Sequence, residues 1–143
     1  MSGVYIMVAQ LKAASGVTAL VNGSRIMAGD LPVDTVLPAI SVSQISSSPR
    51  NIVAPGGRHI LHTDRVQVTA LVKDLDATPA GGGYESMRSI LKAVLAAGAP
   101  TRGTVAGVTV DSILPDIEGP DFFDMETGVI SGSRDFLIRW LEA

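Results

Sequence analysis

His59 and His62 are the only histidines in the chain and lie three residues apart, a residue type that ligates metals and moves protons near neutral pH. Asp64 is the one further ligand type close by. On a strand, residues three apart point to opposite faces, so the pair does not converge on one ion unless the chain bends, and we read both as exposed loop histidines. The nucleophile-elbow pattern of glycine, serine and glycine at alternate positions is missing: Gly132-Ser133 is followed by Arg134. Gly81-Gly82-Gly83 precedes a helical stretch as phosphate-binding loops do, yet it lacks the lysine and hydroxyl of a P-loop and the spacing of a dinucleotide fingerprint, which leaves a hinge. Asp116, Glu118, Asp121, Asp124 and Glu126 are dense enough to attract calcium but do not follow the alternate-residue loop closed by a bidentate glutamate. No catalytic, cofactor-binding or metal-binding residue is assigned.

Partner-binding chemistry has better candidates. Arg50 and Arg58, with Arg65 just beyond, supply the only local basic concentration. They belong either to a solvated loop or to one that grips an acidic surface when copies are gathered in a ring. Phe122-Phe123 is an adjacent aromatic pair inside the acidic stretch. Two such side chains in a polar connection either plug the chain's own core or dock on a neighbour.

The elements that hold these residues follow from periodicity. Val4, Met7, Val8, Leu11 and Ala14, continuing to Val17, Leu20 and Val21, recur at helical spacing, with Gly16 as the expected break. A brief strand is expected at Arg25 to Ala28 and another at Ala39 to Ile45. Over Arg65 to Val72, Val66, Val68, Ala70 and Val72 share one face of a strand. Ser46 to Thr63, rich in serine, proline and glycine, reads as a long loop. Met87, Ile90, Leu91, Val94 and Leu95 form the stripe of a second helix that Gly98 and Pro100 stop. Further strands are expected at Thr104 to Leu114 and Ser133 to Leu141, joined by a loop at Pro115 to Thr127. The resulting expectation is an α+β fold, a mixed or antiparallel sheet of about four to five strands on two helices in the order α-β-β-β-α-β-β, in one domain over residues 1–143.

Composition sets the outer limits. Apolar residues make up 46% and charged residues 17% of the chain, which favours a folded core over disorder. A formal charge of −3 without a long basic run argues against bulk binding to nucleic acid or anionic lipid. The absence of cysteine removes disulfides and thiolate chemistry together. The apolar run Val4 to Leu11 is too short to span a bilayer and has no basic region ahead of it, so no membrane segment or signal peptide is expected.

Several stretches, taken together, carry a family resemblance across nearly the whole chain. They are the opening helix with Val17-Thr18-Ala19-Leu20-Val21-Asn22-Gly23-Ser24-Arg25-Ile26, the strand entry Leu37-Pro38-Ala39-Ile40-Ser41-Val42, and Arg65-Val66-Gln67-Val68 after a long loop. The helix of Met87 to Leu95 and the closing Arg134-Asp135-Phe136-Leu137-Ile138-Arg139-Trp140 complete them. In these the chain resembles the tail-terminator, or tail-completion, family of long-tailed bacteriophages and gene transfer agents. It departs at Ala39, where an aromatic often follows the proline, and in the richness of its acidic stretch.

The resemblance implies a structural virion protein without catalytic residues, made in the host cytoplasm. It implies a hexameric ring at the head-proximal end of the tail that caps the tail tube, stops its polymerisation and meets the head connector. DNA would pass through the lumen without sequence-specific binding. The implied partners are further copies of the chain, the tail-tube protein and the connector or head-completion protein, with Arg50, Arg58, Arg65, Phe122 and Phe123 as contact candidates. The rival readings are a monomeric adaptor and a small enzyme using His59 and His62.

Overall fold

The computed structural model describes residues 2–54, 57–73, 82–98 and 101–142. Helix α1 (Gly3–Ala13) buries Ile6, Met7 and Leu11 and stops at Ala14, whose backbone turns extended. The short helix α2 (Ser15–Thr18) follows, so the interruption expected at Gly16 falls two residues earlier. Strand β1 (Ile26–Ala28) pairs in parallel with the start of β2 (Ala39–Ala54), and β2 runs antiparallel to β3 (Gly57–Lys73). Helix α3 (Gly82–Gly98) takes up the stripe expected of the second helix. Gly82 and Gly83 open that helix, while Gly81, the first residue of the expected hinge, lies outside the described residues. The remaining strands are β4 (Thr101–Val105), β5 (Val108–Glu118), β6 (Phe122–Asp124) and β7 (Val129–Glu142).

These strands form one sheet of seven in the order β1-β2-β3-β7-β5-β4, with β6 also on β7. The fold is α+β as expected, but four to five strands was too few and the element order differs. Two local features add strands. Thr104 to Leu114 is not one strand, because Ala106 (φ 51°) and Gly107 (φ 79°) turn the chain into a β4–β5 hairpin; two successive left-handed residues are what a tight hairpin with the native twist requires. Within Pro115 to Thr127, β5 runs on to Glu118 and β6 resumes the same track along β7 after Gly119-Pro120. A Cβ on Gly119 would stand 2.1 Å from Ser133 Oγ, so glycine lets the chain pass this close to β7 without displacing that hydroxyl.

The third correction concerns Ser46 to Thr63. It is no loop but an extension of the β2–β3 pair, in register from Ser46 opposite Arg65 to Ala54 opposite Gly57 after an irregularity between Gln44 and Ser46. Pro55-Gly56 lies outside the described residues. From Gln44 to Asn51 every residue of β2 is exposed, so the backbone ladder and not a buried face makes this arm. Beyond Val42 no described strand flanks β2 on its outer side. Pro49, which cannot donate to a ladder, is tolerated on such an edge.

The helices lie against one face of the sheet. Ile6, Met7 and Leu11 of α1 and Met87, Ile90, Leu91 and Val94 of α3 meet Ile40, Val42, Val66, Val68, Ala70, Phe136 and Ile138 in one buried cluster. The expected alternation of β3 holds: Val66, Val68, Ala70 and Val72 all face this core. On the opposite face Ser41, Ser43, Gln67, Thr69 and Leu71 line an open depression.

Candidate assembly surfaces

The root of the arm is fixed by a buried carboxylate. Asp64 lies on the core-facing file of β3, ahead of Val66 and Val68, and is 1% exposed. It accepts from the backbone N–H of Gly3 (2.8 Å), the indole Nε1–H of Trp140 (2.9 Å) and the hydroxyl of Ser47 (2.5 Å). The first of these bonds caps α1, whose own N-cap residue Ser2 makes no side-chain cap, and places negative charge at the positive end of the helix. A Cβ on Gly3 would sit 2.8 Å from Asp64 Cβ and Oδ2, so glycine is what allows the helix to reach the carboxylate. One side chain thus ties helix, central strand and arm together.

His62 belongs to this platform and is not an exposed loop residue. Its ring stacks on Trp140 with centroids 4.2 Å apart and planes 9° from parallel, and Nε2 lies 2.7 Å from Glu142. His59 stands on β3 opposite Ile52. Among the described residues no group of three or more metal-ligating side chains comes together.

Arg50 lies on the arm opposite Leu61 and is exposed, and among the described residues it has no ion-pair partner. Arg58 is placed by register opposite Val53. Arg65 is held elsewhere: it pairs with Asp116 of β5 and, at 3.3 Å, with Asp135 of β7. Arg65 is therefore set apart from Arg50. Arg50 and Arg58 are arm residues, and Arg65 ties β3 to β5 across β7.

The acidic stretch is partly tied to its own chain. Glu118 lies 2.5 Å from Arg88 and 3.7 Å from Arg134, and its hydrogen bond and charge raise the Arg88 pKa above its ordinary value. Tyr84 donates to Asp121 at 2.9 Å; that bond, then burial and the charge of Asp121, raise the phenol's pKa. Asp124 accepts from the backbone N–H groups of Glu126 and Thr127, and bonds to that turn hold its carboxyl below its ordinary range. Glu126 stays exposed in this stretch, and the large side chains presented beside it are aromatic and apolar. Phe122 is 64% and Phe123 60% exposed, so neither plugs this chain's core, although Phe123 stacks on Tyr84 at 6.3 Å. Beside them Leu71, Met125 and Val129 line an open groove of about 600 Å³.

Sequence reasoning missed Asp64 and the His62–Trp140 stack. The signal was present, because an acid on the same alternate file as Val66, Val68 and Ala70 must be buried and must find donors.

A family model described as Tail completion protein gp17 matches residues 6–136. Among solved structures, one described as the virion of native gene transfer agent (GTA) particle contains a chain of similar fold. Its TM-score is 0.60 at 15% identity, covering 95% of this chain and 92% of that one. No curated protein matches the chain.

Proposed function

Because the chain belongs to the tail completion protein gp17 family, and is thus a structural component of the virion tail, we propose that it assembles into a ring that ends the tail. In this reading the ring is hexameric, seats on the last ring of tube subunits at the head-proximal end, and offers the head connector a face that accepts no further tube subunit. Residues 1–143 act as one unit without catalysis, and DNA passes through the lumen without base-specific contacts. The observation that carries the reading is the family match, which runs from the first helix to the last strand.

The physical device is symmetry with two unlike faces. A heterologous contact that closes on itself uses up its own binding surfaces, and specificity comes as much from what the outer face rejects as from what the inner face accepts. The arm, which carries Arg50 and Arg58, and the aromatic edge are the contact candidates, with Arg50, Phe122 and Phe123 presented outward; Arg65 would act by holding β5 in place.

The test is tail assembly with the gene removed and then restored. Tubes of uncontrolled length that fail to join heads, corrected by the wild-type protein and not by the double reversal Arg50→Glu with Arg58→Glu, are expected. Tails of normal length joined to heads in the absence of the protein would refute the capping role.

A further inference from the structure

Among the described residues, two open sheet edges of opposite character lie on opposite sides of the central β3–β7 pair. One is the outer side of β2 beyond Val42. The other is β6 together with β5 beyond Ile113, where β4 no longer pairs. Unpaired edges are templates for further strands and are usually blunted. The β2 edge carries Pro49 and Arg50, and the β6 edge carries two exposed phenylalanines.

Their charges are complementary along the sequence. No acidic residue occurs between Ala39 and Thr63, a span that contains Arg50 and Arg58. No lysine or arginine occurs between Asp111 and Glu126, and although Glu118 is paired with Arg88 and Arg134, Asp124 and Glu126 at the end of that span are exposed. Each edge also ends in a bare apolar side chain: Val53 is 93% and Met125 94% exposed.

We propose that copies of this chain join head to tail, the β2 arm of one adding its open edge to the acidic aromatic β6 edge of the next. This rests on the ring reading above and names the joint within it. Pairing of like edges is disfavoured, because two arms would set arginines against arginines and two β6 edges would set carboxylates against carboxylates. The crossed pairing joins basic to acidic and covers Phe122, Phe123, Met125 and Val53 in one contact, with main-chain bonds setting the register. Since the two edges are different strands on opposite sides of the β3–β7 pair, the contact is heterologous and can repeat around a ring.

Cysteine cross-linking in assembled tails tests this, and the chain contributes no cysteine of its own. Val53→Cys and Met125→Cys are introduced together and singly at these exposed positions, and the tails are oxidised and run on non-reducing gels. The double variant is expected to give a ladder extending beyond the dimer, and each single variant nothing beyond a dimer. Adding Arg50→Glu to the double variant is expected to abolish the ladder, and adding Glu126→Arg as well to restore it. A double variant that is incorporated into tails yet stays monomeric on oxidation, or that cross-links to another tail protein, overturns the proposal. Rotational averaging of the same tails judges the ring separately: six-fold density without a ladder sinks the joint alone, and no ring density sinks both.

Discussion

Replacing Asp64 removes the acceptor on which helix α1, Trp140 and the arm converge. In Asp64→Ala the Gly3 N–H and the Trp140 indole N–H, both in buried bonds, lose their partner, and a buried donor left unpaired costs about 1–3 kcal/mol. Two such donors come to about 2–6 kcal/mol, and loss of negative charge at the helix N-terminus adds about 0.3–1 kcal/mol. Ser47 is exposed and can turn to water. Against a typical domain stability of about 5–15 kcal/mol, the alanine variant is expected to be severely destabilised. Asp64→Asn keeps the shape and an accepting oxygen, and its amide can donate to the Ser47 hydroxyl, so about 1–2 kcal/mol is expected from the loss of charge assistance. Urea unfolding followed by the fluorescence of Trp140, the only tryptophan, measures both, since a lower midpoint at unchanged slope reports stability. If Asp64→Ala loses less than about 1 kcal/mol, the three bonds do not hold the fold together and the reasoning about the arm's root fails.

Three smaller perturbations follow. Leu91→Ala empties a site that is 4% exposed between α3 and the sheet and is expected to cost about 2–5 kcal/mol in denaturant unfolding. His62→Ala removes the ring stacked on Trp140 and is expected to cost about 0.5–1.5 kcal/mol and to change the indole emission, whereas His59→Ala leaves both nearly unchanged. The Asp124 carboxyl is held below its ordinary pKa of 3.8 by its turn, so the unfolded state takes up the proton first. The turn's contribution is therefore complete above that pH and is lost as pH falls through the lower folded value, which an NMR titration of Thr127 and Glu126 amide shifts checks by showing a midpoint below 3.8.

What the sequence discloses about this chain is the part that buries side chains. Val66 to Val72 and the stripe Met87 to Val94 were legible because a face packed against a core must repeat at the period of its backbone. The arm was not legible, because Ser46 to Asn51 expose both faces and leave no alternation to read. Ala106-Gly107 escaped because alanine rarely adopts a left-handed backbone, so the residues do not spell a hairpin turn. Composition points to Arg50 and the Phe122-Phe123 pair, and these are presented outward. Nearness in sequence groups Arg65 with Arg50, whereas the structure gives it to Asp116 and Asp135 on two other strands.

Strand β7 pairs with β3 on one side and with β5 and β6 on the other, and it follows all of them along the chain. Synthesis runs from the N-terminus, so β3 and β5 leave the ribosome with open flanks that only β7 can join. The β3–β7 ladder links residues such as Gln67 and Asp135, and contacts so distant along the chain form slowly. Folding of this protein is therefore expected to be late and all-or-none, with the seating of β7 as its committing step. Until then the nascent sheet is a pair of exposed ladders at risk of pairing with its neighbours, and a subunit becomes competent to join anything only after its own centre has closed.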